Sequence, residues 1–322
     1  MLIKRINVGL KSTLSHPKIF IAGASGFIGG SLWNFFRKKY PSFFLYGISL
    51  RKHSFSEALT PCDLNDRKKL LRILGDIRPD YIFHLAGGRM ADEKKTFEAN
   101  FLTTQSLFET IEKIPHFKPR IIIPGTAAEY GRPSSSKRLM TEDIPAQPET
   151  WYGFVKYMQT SLSLLHVHRG CDVVVARMFN ILGRGLPPSL AVGKFADEIA
   201  RIELGLKPPT IETKNLSGQR DFLDIDDICE ALWTAAQKGH RGEIYNICSA
   251  KSYSIRDLLK RLLSHSVVKG IVIKEDKRAH SGSYDVIGSN AKFKKLSSWK
   301  PKVSVEQSLK NTLNDYRNAR QA

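Results

Sequence analysis

A tyrosine and a lysine four residues apart, Tyr152 and Lys156 in the run WYGFVKYM, are the first pair in this chain that could move a proton. On a helix that spacing puts both functional groups on one face. A phenol ordinarily releases its proton near pH 10 and shuttles poorly at neutral pH, unless a neighbouring cation such as the Lys156 ammonium favours the phenolate. Taken alone, the pair also arises by coincidence on any helix. A second candidate is the glycine series Gly23, Gly26 and Gly29 in IFIAGASGFIGGSLW. A β-rich run leads into it, and a helical pattern starting at Phe27 and Ile28 leads out. Such a turn lets backbone N–H groups, with Ser25 among them, approach a pyrophosphate, while the last glycine lets helix and strand pack closely. The same residues also suit a plain strand-to-helix turn, and the GxxGxxG spacing differs from the common GxGxxG.

The next apolar run, FFLYGIS, leads to Arg51 and Lys52. A fold selective for NAD presents Asp or Glu there to the ribose hydroxyls, whereas two cations suit a 2′-phosphate, so charge favours NADP. A solvated basic loop would look the same in a chain with 50 lysines and arginines.

These groups need a scaffold to hold them. Apolar runs at Lys18 to Ala22, Phe43 to Ile48, Tyr81 to Leu85, Arg120 to Ile123 and Asp172 to Ala176 alternate with helical patterns. That rhythm predicts a parallel sheet of right-handed βαβ units. Leu70, Ile73, Leu74 and Ile77 give one crossover helix an apolar face behind an N-cap at Asp66. The predicted architecture is α/β, a Rossmann-type doubly wound parallel sheet over residues 18–180 that follows an N-terminal extension, 1–17. Residues 181–322 form mainly a smaller C-terminal substrate-binding lobe, with some segments returning to the sheet. Helices are expected near Val192 to Leu204, Ile228 to Gln237 and Ser254 to Leu263, and a strand over Glu243 to Cys248. Ser304 with Gln307 predicts a capping box before the terminal helix.

The formal charge of +19 favours anionic partners. Lysine and arginine are spread along the whole chain without RNP-type or zinc-finger spacing, which argues against a nucleic-acid module. No apolar run approaches the roughly 18 to 20 residues of a membrane span, and the leader lacks the apolar core of a secretion signal. Cys62, Cys171, Cys229 and Cys248 form no CxxC pair, so reduced cytoplasmic thiols are expected, with neither a disulfide framework nor a metal site.

The order of these motifs resembles the extended short-chain dehydrogenase/reductase family across nearly the whole chain from Lys18. In that resemblance Gly23, Gly26 and Gly29 match the cofactor turn, and Asp63-Leu64 the acidic position beside adenine. His84-Leu85-Ala86-Gly87 matches the fourth-strand motif, and Asn100 a structural helix asparagine. Thr126 in GTAAEYG takes the place of the catalytic Ser/Thr that works with Tyr152 and Lys156. Asn180 in ARMFNILGRG and Arg220 in GQRDFLDIDD match residues at the substrate phosphates. Read without the family, one is a turn former and the other a surface ion-pair partner.

GTAAEYG, VGKFADEIARIELGLKPP with Lys194, and IYNICSAKSYSIRDLL resemble more narrowly the branch that reduces GDP-linked 4-keto-6-deoxyhexoses. A late arginine of that branch falls near Arg278 or His280, and Thr126-Ala127 stands where the branch has Ser-Ser. The resemblance implies that NADPH reduces the C4 keto group of GDP-4-dehydro-6-deoxy-D-mannose to give GDP-D-rhamnose. In it Tyr152 supplies the proton, Thr126 orients the carbonyl and Lys156 holds the nicotinamide ribose. It also implies a homodimer through the Tyr152 and Asn100 helices. An epimerase, a dehydratase and a non-catalytic dinucleotide sensor are the alternatives. A sensor has no need of Thr126, Tyr152 and Lys156 together. Dehydratases on this scaffold carry acidic help just after the threonine, where this chain has Ala127 and Ala128. Glu129 comes one residue late, and on an extended segment it would point away from the Ala128 face.

Overall fold

The computed structural model describes residues 16–50, 59–132, 139–214, 216–276 and 285–321. The chain opens with β1 (Lys18–Ala22), α1 (Phe27–Lys39), β2 (Phe44–Ser49), β3 (Leu59–Pro61), α2 (Arg67–Ile77) and β4 (Tyr81–His84). Next come α3 (Glu93–Phe97), a π-helical turn (Glu98–Leu102), α4 (Thr103–Glu112), β5 (Arg120–Thr126) and a 3-10 turn (Ala127–Glu129). α5 (Trp151–His168), β6 (Asp172–Met178), β7 (Asn180–Leu182), α6 (Ala191–Glu203) and β8 (Thr210–Lys214) follow. The chain ends through β9 (Gln219–Asp224), α7 (Ile225–Lys238), β10 (Ile244–Ile247), β11 (Ser252–Ser254), α8 (Ile255–Ser264), β12 (Val272–Asp276), α9 (Ala291–Ser297) and α10 (Val305–Gln321).

Seven strands form one wholly parallel sheet in the order β10-β6-β5-β4-β1-β2-β3. Continuous apolar runs suit strands covered on both faces, and successive residues of one strand feed opposite layers. Ile19, Ile21, Phe83, Ile122 and Val174 pack with Leu32 and Phe36 of α1 and Ile228, Leu232 and Trp233 of α7. Phe20, Ile82, Ile121, Ile123 and Val175 pack on the other side with Leu70 and Leu74 of α2 and Leu107 and Phe108 of α4. Asp66 caps α2 as expected, its Oδ1 accepting from Lys69 N at 3.0 Å. β1 lies between β4 and β2, with Ala22 opposite both His84 and Ile48. The chain therefore reverses its winding direction at β1, which opens a crevice beyond the carboxyl ends of the strands.

A smaller lobe gathers a mixed sheet, β11-β9-β7, and a two-stranded one, β12-β8. Its core joins Leu182 and Phe222 to Phe195 and Ile199 of α6, Leu258 and Leu262 of α8, and Leu309 and Leu313 of α10. The division by sequence is not clean, because α7, β10 and α9 return to the large sheet. β3 has no counterpart among the apolar runs, since three residues are too few to show a period. At α10 only half of the expected capping box forms. Gln307 N donates to Ser304 Oγ at 3.2 Å, while the Gln307 amide turns outward to Asn311 Oδ1 at 2.8 Å. No helix among the described residues is long and apolar enough to cross a membrane.

Candidate active site

The turn between β1 and α1 is built for close approach. Gly23 has φ +82°, a conformation L side chains rarely adopt, and a Cβ there would lie 2.7 Å from the Leu85 carbonyl oxygen. Gly29 presses α1 onto that turn, and a Cβ on it would stand 2.1 Å from Gly23 O. Gly29→Ala is therefore expected to destabilise the fold by about 1–3 kcal/mol and to lower cofactor affinity, measurable as a drop in Tm together with a raised NADPH Kd. α1 starts at Gly26 with no side-chain cap, which leaves its first amides for a ligand.

In front of this turn lies a cleft of about 430 Å³. Gly23, Ser25, Gly26, Asp63, Leu64, Leu85, Ala86 and Gly87, all singled out in the sequence, line it. The side chains of Phe27 and Ile28 do not; they pack into the cores beneath. Arg51 and Lys52, the proposed phosphate cations, lie outside the described residues, as do Arg278 and His280. The motif reading missed the far wall, made by Met90, Lys95, Glu98, Ala99 and Thr103. The helical spacing of Lys95, Glu98, Ala99 and Thr103 on one face was the available signal. Asn100 braces that wall: its Oδ1 accepts from Gly88 N at 3.0 Å, and its Nδ2 donates to Gly88 O at 2.8 Å and Thr96 O at 2.7 Å.

Thr126 ends β5, while Tyr152 and Lys156 occupy the first two turns of α5. α5 is capped by Thr150, whose Oγ1 accepts from Gly153 N at 3.0 Å. Gly153 has no room for a side chain, because a Cβ would meet Ala128 O at 2.4 Å. The tyrosine turn is thereby seated against the loop that carries Thr126. Burial, reinforced by the Glu129 carboxylate, pushes the Tyr152 phenol up to about 12, against a hydrogen bond with Thr126 and the Arg89 cation, which pull it down. The expected lowering by Lys156 is not what the geometry delivers. The Lys156 ammonium donates to Pro124 O and to Gln159 Oε1, and burial brings its own value down to about 8, against the pull of Glu129. The cation that acts on Tyr152 is Arg89, more weakly than burial, Glu129 and Thr126 do.

Glu129 is not on an extended segment. It closes the 3-10 turn and points inward, with none of its surface exposed. Oε1 accepts from Thr126 N at 2.7 Å, and Oε2 accepts from Thr160 Oγ1 at 2.9 Å and Arg177 Nη2 at 2.8 Å. The Arg177 guanidinium in turn stacks 4.4 Å from the Tyr130 ring centroid. The carboxylate is thus committed to fixing the Thr126 loop. Ala127 packs its methyl against the small cluster of Tyr130, Met140, Phe179, Cys248 and Val286.

Register places the substrate-side candidates nearby. Thr126 pairs with Met178 at the end of β6, two residues before Asn180, whose Nδ2 donates to Asp221 O at 2.9 Å. Arg220 precedes that aspartate on β9, where it pairs with Tyr253 of β11 and its guanidinium donates to Gln219 O at 2.8 Å. Asp221, not singled out in the sequence, is the hub. It is fully buried and accepts from Ser249 N, Ser249 Oγ, Ala250 N and Gly288 N. Burial nevertheless lifts its carboxyl to about 6. Lys194 on α6 is engaged elsewhere, with Glu212 O at 3.2 Å and Glu198 at 3.6 Å. One further cluster, Glu112, His166 and Cys171, brings its donor atoms within 4.8 Å of one another. It lies where β6 begins, at the amino ends of the strands and away from the crevice, and the His166–Glu112 contact at 2.7 Å is an ordinary hydrogen bond.

A sequence profile of the NAD dependent epimerase/dehydratase family matches residues 19–248. The chain belongs to that family. Members of the NAD-dependent epimerase/dehydratase family are NAD(P)-dependent oxidoreductases, epimerases or dehydratases of nucleotide sugars. Within it, the chain is 28% identical over 306 residues to the GDP-6-deoxy-D-mannose reductase of Pseudomonas aeruginosa, covering 93% of this chain and 97% of that one. It is 27% identical over 254 residues to the GDP-6-deoxy-D-talose 4-dehydrogenase of Aggregatibacter actinomycetemcomitans, covering 78% and 80%. Among solved structures, RMD from Pseudomonas aeruginosa complexed with NADPH superposes with a TM-score of 0.83 at 27% identity, covering 94% of this chain and 99% of that one.

Proposed function

We propose that this enzyme uses NADPH to reduce the C4 keto group of a nucleotide-linked 4-keto-6-deoxyhexose, converting GDP-4-dehydro-6-deoxy-D-mannose to GDP-D-rhamnose. One observation carries the reading. The phenol of Tyr152 is held as a neutral acid beside Thr126, and no free carboxylate stands in the loop after that threonine. A proton donor without an accompanying acid–base carboxylate suits carbonyl reduction and does not suit elimination. The activities of the two relatives, a GDP-6-deoxy-D-mannose reductase and a GDP-6-deoxy-D-talose 4-dehydrogenase, and the NADPH in the neighbouring structure support the same substrate class and cofactor.

The cleft fits such a cofactor, since the turn Gly23, Ser25 and Gly26 lines it and α1 begins there without a side-chain cap. Gly23, Ser25 and Gly26 would hold the pyrophosphate, Asp63 and Leu64 the adenosine, and Leu85, Ala86 and Gly87 the next stretch. Arg51 and Lys52 would meet the 2′-phosphate. When bound, NADPH supplies the hydride. Tyr152 then delivers its proton to the developing C4 alkoxide, Thr126 orients that oxygen with Ala127 beside it, and charged Lys156 fixes the nicotinamide ribose. Asn180 and Arg220 would meet the substrate diphosphate, and the resemblance adds Lys194 and Arg278 to the substrate-binding residues.

Trp151, Phe154, Tyr157 and Leu165 leave an apolar row exposed along α5, which supports a homodimer through this helix and its neighbour α4. Free Cys62, Cys171, Cys229 and Cys248 support a reducing cytoplasmic location.

The deciding experiment incubates the purified protein with NADPH and GDP-4-keto-6-deoxymannose and reads the product by carbohydrate NMR. GDP-D-rhamnose is expected; no NADPH oxidation would overturn the reading, and GDP-6-deoxy-D-talose would assign the opposite C4 face. NADPH is also expected to show a clearly higher kcat/KM than NADH, and replacing Arg51 and Lys52 together should narrow the gap. Equal efficiency with both cofactors in the unaltered protein would remove the NADP assignment.

A further inference from the structure

Beneath the Tyr152 turn lies a buried polar chain that the steps above leave unused. Gln159, Thr104 and His84 are each fully buried, and Lys156 is 4% exposed. The Lys156 ammonium donates to Gln159 Oε1 and to Pro124 O. Gln159 Nε2 donates to Thr104 Oγ1 at 2.6 Å and to Asn100 O at 3.2 Å. An ammonium only donates and a backbone carbonyl only accepts, so the amide can sit only one way round. Thr104 passes its own proton to Asn100 O at 2.6 Å and takes one from His84 Nε2 at 2.8 Å. The Asn100 carbonyl accepts both bonds from within the π-helical turn.

We infer that Gln159 is the positioning residue for Lys156, its forced amide orientation keeping the lysine charged and aimed at the cofactor side. The inference rests on the proposed role of Lys156 and adds to it the source of that lysine's charge. In a buried site an ammonium keeps its proton only where oxygens replace water. Two of its three protons are met by Pro124 O and Gln159 Oε1, which leaves the third for a ribose hydroxyl. The charged or titratable groups that interact with Lys156 are Glu129 from the 3-10 turn and His84 from β4, while Tyr152 lies one turn earlier on the same helix. Glu129 raises the lysine value from the far side of the loop. His84 is held neutral, its own value lowered to about 3 by burial and by Lys156. Asn100 and Thr104 contribute no charge. Gln159 is the one side chain among those on the lysine whose oxygen bonds the ammonium directly.

The test is the pH profile of kcat/KM for NADPH oxidation in wild type, Gln159→Met and Thr104→Val. Ser163→Ala serves as the control, since that buried serine bonds the Gln159 backbone carbonyl without facing Lys156. The lysine acts in its charged form, so wild-type activity should fall as pH rises through about 8. Methionine keeps the volume and removes the oxygen, and should move that fall about one unit toward acid. Activity at about pH 8 then drops about five-fold, while at about pH 6 it hardly changes. Thr104→Val, which frees one anchor of the amide, should move the fall in the same direction by less. The Kd for NADPH, read by fluorescence, should follow the same shift. A limb that stays in place in Gln159→Met, with or without a lower Tm, would overturn the inference. Lys156→Met separates the two claims. If it leaves NADPH affinity and turnover intact, the proposed role of the lysine itself fails. If it impairs both while Gln159→Met keeps the wild-type limb, only the inference about Gln159 fails.

Discussion

Tyr152→Phe is expected to bind NADPH with near wild-type affinity while losing turnover by about 10²- to 10⁴-fold, the usual worth of a positioned proton donor. The substitution removes one oxygen from a buried ring and leaves its packing volume almost unchanged, so a loss confined to kcat reports the proton step. The phenol stays protonated throughout the working range, because burial and Glu129 hold it near 12. It therefore enters reduction as an acid, and the alkaline decline of activity belongs to Lys156 instead. Stopped-flow NADPH oxidation with a fluorescence titration of the cofactor separates the two effects. Turnover by Tyr152→Phe at near the wild-type rate would remove the tyrosine from the chemistry.

The second large effect is an all-or-none one. Incubated with GDP-mannose and NADP, the protein should yield no 4-keto sugar, whereas adding a separate GDP-mannose dehydratase with NADPH should start cofactor oxidation. A 4,6-dehydration must take a proton from C5 and expel the C6 hydroxyl, which calls for acid–base help at the reacting carbons. Ala127 and Ala128 supply only methyl groups. The one carboxylate in the loop, Glu129, is turned away and held by Arg177, Thr160 and the Thr126 amide. Freeing it would leave the buried Arg177 without its partner, a change of the order of 3–5 kcal/mol. Appearance of the 4-keto sugar without the second enzyme would overturn the reductase reading.

Much of the scaffold was legible because its strands are buried on both faces. Val173 to Ala176 and Ile121 to Ile123 show as unbroken apolar runs, and their observed ends lie within a few residues of the expected ones. The spacing of Tyr152 and Lys156 likewise required a shared helix face, and α5 provides it. What the spacing could not convey is where the ammonium points. Its partners are a carbonyl on β5 and an amide one turn along its own helix, and that amide is oriented by Asn100 and Thr104, more than fifty residues earlier. No local pattern encodes such a bond. On an extended segment Glu129 would point away from the Ala128 face, but Thr126 caps a 3-10 turn there and the carboxylate turns inward. Asp221 was invisible for a related reason. Its four donors come from the loop after β10 and from Gly288, so one aspartate in a polar run gave no sign of being a hub.

The placement of β10 at the outer side of β6 has a consequence for how the protein is made. A ribosome that has released residues as far as Met178 has delivered six of the seven strands of the large sheet, but β6 then ends the sheet as an open edge of Asp-Val-Val-Val-Ala. Unpaired apolar edges of this kind recruit other chains. The strand that closes it, Ile244–Ile247, is synthesised only after β7, α6, β8 and β9 of the smaller lobe, and Trp233, which packs into one face of the core, comes only shortly before it. The nascent chain must therefore keep that edge from foreign partners until its own late segment arrives, and termination anywhere between the two leaves a product prone to aggregation.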